Sequence, residues 1–444
     1  MNEGLFGMNK VFVVSLGCSK NQVDSEEILG ELVSRGFAKA EDPEDADVII
    51  VNTCGFIESA KTESLDTVFE YAAYKDEYSC RLLVVCGCLT ERYYDELTAE
   101  LPEADLIWGV KDHSGLADAI EQRLFGGFSP AKQAPERVLI TPKYRAYLRI
   151  ADGCDNRCTY CAIPLIRGGR VSYPMDKLIE EAKGLADRGV KELTVIAQDT
   201  SAYGVDLYGE PKLSELLSEL AKIEKLHWIR LLYTYPNTVD EKLIGVISRE
   251  KKLLNYIDMP IQHINAELLK RMNRHGTAEH IKFITDYIRT VSPDFILRTT
   301  AMVGFPGETD EQFEELLDFI TEHHFDRIGA FTFSPEDGTP AAEMDGQIPE
   351  SVKKRRFDRL MRRQMKISLA LNRKRIGTTV EALVDGIENG YALCRSYAEA
   401  ADVDGFIKIK LPEDRSIVPG DFIFVNITDA GVYDLTAEIE KGGA

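Results

Sequence analysis

One feature constrains the first third of the chain more than any other: three cysteines recur at equivalent points of successive strand-like runs. Cys18, Cys54 and Cys88 close the runs KVFVVSLGC, DVIIVNTCGF and RLLVVCGC, at spacings of 36 and 34 residues. Each interval is about one strand–helix–strand repeat. The runs are rich in Val, Ile and Leu and end at Gly, Cys or a polar cluster, as buried parallel strands do. A shorter run, ADLIWGV, follows, and helical patterns such as Asp24 to Arg35 and Glu58 to Tyr74 fill the intervals. The pattern predicts a doubly wound parallel sheet over residues 1–130. Adjacent parallel strands end on one side of a sheet, so the three sulfurs converge at its carboxyl edge. The competing reading is three unrelated buried or loop cysteines.

A stretch containing Gly and Pro, GGFSPAKQAP, separates this unit from residues 140–340, where the strand–helix alternation resumes. Strands are expected at AYLRIADG, ELTVIAQD, WIRLLYTYP, YIDMPIQ, ILRTTAMVGFP and RIGAFTFSP. Six units fall short of the eight of a full barrel, so an open (β/α)6 barrel is the expectation. Cys154, Cys158 and Cys161 form a C-x3-C-x2-C run directly after the first of these strands. That point is the C-terminal rim of a parallel barrel, where chemistry is sited. Three thiolates without a nearby fourth ligand suit an iron–sulfur cluster with one iron left open. A structural zinc site would need a fourth Cys or His from a distant part of the chain. Cys80, Cys86 and Cys394 read as structural, with Cys86 the one spare ligand.

The 444 residues are too many for a single core. With 44% hydrophobic and 29% charged residues the chain reads as folded and soluble, and no apolar stretch reaches the roughly 18 residues of a membrane span. Met1 to Lys10 lacks the pattern of a signal peptide, which points to the cytoplasm, where cysteines more often bind metals than form disulfides. The net charge of −21 speaks against a general nucleic-acid or membrane binder. It is unevenly spread: Ser351–Arg375 carries a net +10, and Ile376 to the end a net −8. The basic run falls in a linker helix over residues 341–375, with Phe357, Leu360, Met361, Met365 and Ile367 at amphipathic spacing. It reads either as a solvated helix packed along an acidic neighbour or as a nucleic-acid contact. Residues 376–444 switch to about five short alternating runs, a small all-β OB-like barrel. Its charge would repel RNA phosphates and suit a basic protein partner; an ordinary acidic surface explains it equally well.

Two cysteine trios, a barrel and a β tail together resemble the radical SAM (S-adenosylmethionine) methylthiotransferase family over essentially the whole chain. The resemblance is carried by SLGCSKNQVDSE, VNTCGFIESA, VCGCLTERY, GCDNRCTYCAIP, LTVIAQDTSAYG, WIRLLYTYP and VGFPGETD. Within the family the chain is similar to the ribosomal-protein branch. Gly55-Phe56-Ile57 follows the NTC element where the tRNA branch carries Arg-Glu, and Gln262-His263 stands where that branch has Gln-Ser-Gly. The resemblance implies an α/β chain with a TRAM-type tail and two [4Fe–4S] clusters, one on Cys18, Cys54 and Cys88 and one on Cys154, Cys158 and Cys161. It implies a methylthio transfer to the β-carbon of an aspartate in protein twelve of the small ribosomal subunit. Two SAM equivalents per product, a low-potential electron donor and a sulfur source are implied with it. Tyr160 before the last cysteine belongs to the same pattern. Gln198 and Arg298 are candidates for the amino acid end and carboxylate of SAM, and Gly304 for close backbone approach to its adenosine. AQDTSAY stands where many radical SAM proteins carry Gly-Gly-Glu-Pro, so the match is to this family and not to the general pattern. The rivals are a tRNA methylthiotransferase, a non-catalytic iron–sulfur electron carrier and a ribosome-associated zinc module.

Overall fold

The Val/Ile/Leu runs of the first third form five strands: β1 (Lys10–Ser15), β2 (Ala38–Lys39), β3 (Val48–Thr53), β4 (Leu82–Gly87) and β5 (Leu106–Ile107). They lie in the order β2-β1-β3-β4-β5, every pair parallel. β3 and β4 are buried along their whole length, which is why their sequences are apolar throughout and do not alternate. The helices Ser19–Ser34 and His113–Phe125 pack on one face, over Val11, Ile50 and Val84, and Glu58–Ala72 covers the other, over Ile49, Val51 and Val85. The first helix begins at Ser19, about a turn before the apolar period announces it. Its opening residues Lys20, Asn21, Asp24, Ser25 and Glu26 are polar yet buried, facing the rest of the protein, so hydrophobic periodicity does not register them. The computed structural model describes residues 9–127, 134–411 and 416–440. Met1–Met8, on which the leader reading mostly rests, and most of the GGFSPAKQAP spacer lie outside them.

Six parallel strands then follow in chain order: β6 (Arg145–Arg149), β9 (Glu192–Ile196), β10 (Trp228–Leu231), β11 (Tyr256–Asp258), β12 (Ile296–Val303) and β13 (Arg327–Thr332). A short antiparallel hairpin, β7 (Ala151–Asp152) with β8 (Val171–Ser172), leaves the first of them. β6-β9-β10 and β11-β12-β13 are continuous ladders. They are joined by an isolated bridge, with Ile229 N to Lys252 O (2.7 Å) and Leu254 N to Ile229 O (3.0 Å), and by Thr234 N to Asp258 O (2.9 Å). Among the described residues β6 and β13 are not paired, so the (β/α)6 barrel is open. Strand alternation sorts its residues. Leu148, Leu193, Ile229, Ile257 and Leu297 point outward into the core beneath the helices, while Tyr147, Ile196, Trp228, Tyr256 and Ile296 line the interior.

The tail is a closed five-stranded barrel of β14 (Thr379–Glu388), β15 (Tyr391–Arg395), β16 (Ile407–Lys410), β17 (Phe422–Ala430) and β18 (Leu435–Ile439). It caps the amino-terminal mouth of the six-stranded barrel. Arg395 donates to both oxygens of Glu192 (3.0 and 2.6 Å), Arg230 to Glu192 (3.1 Å) and Tyr256 to Asp404 (2.7 Å). Arg145 pairs with Asp402 (2.7 Å), and Arg327 with Glu399 (3.3 Å). Burial alone would raise the Glu192 and Glu399 carboxyls, but Arg395 and Arg230 in one case, and Arg375 and Arg327 in the other, hold both down to about 2. Four acidic groups of the tail, Asp385, Glu399, Asp402 and Asp404, are thus engaged within the molecule. The basic run is the helix Glu350–Lys374. It packs along the acidic helix Asp310–His323 through Arg356–Asp310 (2.8 Å) and Arg359–Glu314 (2.6 Å), the arrangement expected of a solvated linker helix. Among the described residues no helix is long and apolar enough to cross a membrane.

Candidate functional site

Cys18 caps the Ser19–Ser34 helix after β1, Cys54 follows β3, and Cys88 opens the short helix Cys88–Arg92 after β4. β1, β3 and β4 are neighbours, so the three chain points meet at one sheet edge. Two glycines show how closely. Gly17 (φ 83°) passes so near Cys54 that a Cβ would lie 2.7 Å from its Cβ and 2.8 Å from its Sγ. At Gly87 (φ 106°) a Cβ would lie 2.2 Å from Asn52 Oδ1. Only glycine meets both the left-handed angle and the contact. Asn21, one turn after Cys18 and fully buried, ties the edge together. Its Nδ2 donates to Leu16 O (3.1 Å) and Thr53 O (2.8 Å), and its Oδ1 accepts from Cys88 Sγ (3.2 Å).

The second trio sits in the loop between β7 and β8. Cys154 N donates to Gly168 O (3.1 Å), closing the loop, and Cys161 N to Cys158 O (3.0 Å). Thr159 N binds Met272 O (3.0 Å), pinning the loop to the end of the Ala266–Arg271 helix. Tyr160 packs among Leu268, Met272, Phe305 and Phe333, and its hydroxyl accepts from Arg274 Nη1 (3.1 Å). Arg274 also donates to Pro260 O (2.6 Å) and lies 4.3 Å from the centre of the Tyr235 ring.

Burial pushes the Cys88 and Cys161 thiols up to about 12 and that of Cys154 to about 11. Such thiols are poor free nucleophiles at neutral pH and lose their proton to a metal that replaces it. Cys18 is exposed at this edge; desolvation of its sulfur by neighbouring groups acts upward, but Lys20, the Asn21 N–H and Arg167 outweigh it and hold the thiol below its ordinary value. Around one tetrahedral zinc, Zn–S bonds of about 2.3 Å place sulfurs roughly 3.8 Å apart. Among the described residues the one group of three Cys, His, Asp or Glu donors all within 4.8 Å is Asp24, Glu27 and His113; neither cysteine trio is that tight. Neither trio is closed to the spacing of a single ion, and three thiols without a fourth ligand are the donor set of an iron–sulfur cluster with one open iron. Asp24 and Glu27 are taken by arginines, Arg149 and Arg167 at the first and Arg149 at the second.

The two trios adjoin. Ala162 and Ile166, immediately after Cys161, pack with Cys88 in one buried cluster, and Arg167 Nη2 donates to Cys88 Sγ (3.5 Å). The carboxyl edge of the N-terminal sheet therefore faces the C-terminal rim of the barrel. Gln198 lies beside this junction: its Nε2 donates to Asp152 Oδ1 (2.9 Å), and its Oε1 is buried with no partner. Arg298 shares the inward face of β12 with Ile296 and binds Asp258 (2.7 Å), with Asp404 of the tail 3.7 Å away. Gly304 (φ 75°) is crowded by Lys353, whose Cγ would lie 2.4 Å from a Cβ, and its N–H is held by Glu308. Gln262 adopts φ 67°. His263 is fully buried, which pushes its imidazole down to about 3, and its Nδ1 accepts from Asn265 N (3.0 Å), the pattern of a neutral structural histidine. Cys86 and Cys394 lie in apolar cores, and Cys80 is buried under the first sheet. Asn21, Arg167 and Arg274 were not singled out from sequence. The signal for Asn21 was its place one helical turn after Cys18; the two arginines gave none.

Family models match in three blocks: an uncharacterized protein family, UPF0004, over residues 10–109, the Radical SAM superfamily over 148–320, and a TRAM domain over 376–439. The chain is 45% identical to the ribosomal protein uS12 methylthiotransferase RimO of Caldicellulosiruptor saccharolyticus, across 97% of this chain and 100% of that one. It is 46% identical to the protein of the same name from Clostridioides difficile, across 97% and 99%. Among solved structures it resembles the radical SAM methyltransferase TsrM from Kitasatospora setae, with cobalamin and a [4Fe-4S] cluster bound. The TM-score is 0.55 at 13% identity, over 87% of this chain and 81% of that one, a likeness of fold.

Proposed function

The chain belongs to the RimO family of radical SAM methylthiotransferases, and on that premise we infer that it transfers a methylthio group to the β-carbon of an aspartate in ribosomal protein uS12. The observation that carries this reading is the adjacency of two three-thiol sites, joined by the segment from Ala162 to Arg167. A non-catalytic carrier of two clusters would need no SAM site, and failure of the reduced protein to cleave SAM would favour it. When bound, two [4Fe–4S] clusters and SAM would supply the one-electron chemistry and the methyl group, with the sulfur coming from a separate source.

The chain's own residues hold and orient these groups. Cys18, Cys54 and Cys88 hold one cluster and Cys154, Cys158 and Cys161 the other, each trio leaving one iron for an outside ligand. Tyr160, fixed by Arg274, forms a wall of the barrel site. Gln198 offers its unpartnered Oε1 as an acceptor for the amino group of SAM. Arg298 is held by Asp258, with Asp404 of the tail nearby, so a SAM carboxylate would have to share it, and the space over Gly304 is filled by Lys353, so adenosine would have to displace that side chain. The tail acts mainly as a barrel cap, since its Asp385, Glu399, Asp402 and Asp404 accept from Tyr144, Arg327, Arg145 and Tyr256 of the barrel; this speaks against its use as an RNA-binding arm. A low-potential electron donor, a sulfur source and the cytoplasm of the ribosomal substrate complete the reading.

The test is a product assay. Full-length protein, reconstituted anaerobically, receives SAM, dithionite and sulfide as sulfur source with either uS12 or tRNA. A methylthio group on one uS12 aspartate is expected, with tRNA unmodified. Methylthio-adenosine in tRNA, or SAM cleavage with uS12 unchanged, overturns the substrate assignment.

A further inference from the structure

Arg167 belongs by sequence to the barrel's cysteine loop and by contact to the other site. It caps the short helix Ile163–Ile166 that follows Cys161, with its own N–H bound to Ile163 O (2.8 Å). The next residue, Gly168, gives its carbonyl to Cys154 N (3.1 Å), so the backbone at Arg167 is fixed by the turn that closes the loop. Gly153 packs so tightly on this turn that a Cβ would lie 2.1 Å from Gly169 O. From that anchored position the side chain, 1% exposed, crosses to the N-terminal sheet.

There it meets four groups. Nη2 donates to Asp24 Oδ2 (2.6 Å), Asn21 Oδ1 (2.8 Å) and Cys88 Sγ (3.5 Å), and Nη1 to both oxygens of Asp152 (3.2 Å each). Asp24 is shared with Arg149, which also holds Glu27 (2.7 Å), while His113 stands 4.0 Å from Asp24 and 3.3 Å from Glu27. Arg149 therefore answers the outer carboxylates, while Arg167 donates to a candidate ligand sulfur of the N-terminal site, as Arg274 does to Cys158 Sγ (3.9 Å) in the barrel site. Asp152 and Asp24 grip it from opposite sides, so swinging away would cost each carboxylate a charged partner.

We propose that Arg167 is a positioning residue of the N-terminal cysteine site: supplied by the barrel's cysteine loop, it orients Cys88 and raises the electron affinity of the cluster held there. The inference rests on reading Cys88 as a cluster ligand and is independent of the substrate. Adding one electron to an iron–sulfur cluster increases the negative charge on its sulfurs. An N–H donor to a ligand sulfur stabilises the reduced form more than the oxidised one and moves the potential upward. The effect is strongest where the donor is charged and shielded from water. Because the donor comes from the other site's loop, the electron affinity of one site depends on the fold of the other.

The test compares Arg167→Gln and Arg167→Lys in the full chain with Cys154, Cys158 and Cys161 all replaced by Ala, so that the remaining cluster is the N-terminal one. Dithionite titration followed by electron paramagnetic resonance reads its midpoint, and iron and sulfide analysis reads occupancy. For Arg167→Gln about a tenfold fall in the reduced-to-oxidised ratio at fixed potential is expected, a shift of about 59 mV to more negative values for one electron. Arg167→Lys, which keeps the charge and loses the fork, should fall between. Should the Gln variant hold no cluster, the Lys midpoint decides. In the complementary background, with Cys18, Cys54 and Cys88 replaced by Ala, the barrel cluster's midpoint should stay where it is. Unchanged N-terminal midpoints overturn the proposal, as do equal shifts in both backgrounds. A parent protein with no N-terminal cluster overturns the ligand reading, and the proposal with it.

Discussion

The two cysteine sites use the same number of thiols and are built in opposite ways. The barrel site comes from one loop, with three cysteines inside eight residues and a hairpin at its base. The N-terminal site is assembled from the ends of three strands, and its cysteines meet only because β1, β3 and β4 are parallel neighbours. One site is local and the other tertiary. A loop-built site should tolerate damage to distant packing that empties a sheet-built one, and this difference can be tested.

The largest effect is expected where the difference does not matter. Cys158→Ala and Cys54→Ala should each reduce methylthiolation of uS12 to background, but only Cys158→Ala should also abolish SAM cleavage in the absence of uS12. Loss of that cleavage in both would erase the distinction between the sites. Next comes a change remote from both. Glu192→Gln leaves Arg395 and Arg230 short of their buried counter-charge and should cost about 3–5 kcal/mol in denaturant unfolding. The same carboxylates give a pH signature. With the Glu192 and Glu399 carboxyls held down to about 2, their contribution is complete above the unfolded carboxylate value of about 4.3. It should fade as pH drops from there toward 2, so the cap should loosen in acid, read as rising proteolysis between the barrel and the tail.

Smaller changes sharpen the comparison. Gly87→Ala combines a left-handed angle with overpacking against Asn52, together about 2–5 kcal/mol. It should halve the iron content by emptying the N-terminal site while SAM cleavage persists. Asn21→Ala, which leaves buried carbonyls unmatched, should cost about 1–3 kcal/mol and lower occupancy of that same site. Equal iron loss from both sites in either variant would contradict the contrast.

The same contrast explains what could be read from the sequence. The barrel trio was legible because its spacing is local. The strand-end trio was legible because parallel topology turns a spacing of about 35 residues into adjacency, and because β3 and β4 are continuous apolar runs. The six barrel strands and five tail strands fell where apolar runs broke at Gly and Pro. What escaped was polar and buried. Asn21, Arg167 and Arg274 tie the sites together through partners as far as 32, 146 and 114 residues away, distances that no periodicity reports. The two-residue strand β2 at the sheet edge and the β7–β8 hairpin were too short to carry a pattern. The acidity of the tail was visible, but its docking on the barrel's basic mouth was not, because charge composition does not say which charges meet.

The central claim is that each trio holds its own four-iron cluster, and iron and sulfide analysis of the anaerobically reconstituted protein tests it most directly. The account predicts about eight iron atoms per chain in the parent and about four in each of two variants, one with Cys18, Cys54 and Cys88 replaced by Ala and one with Cys154, Cys158 and Cys161 replaced. A full complement in either variant, or zinc in place of iron, would contradict it.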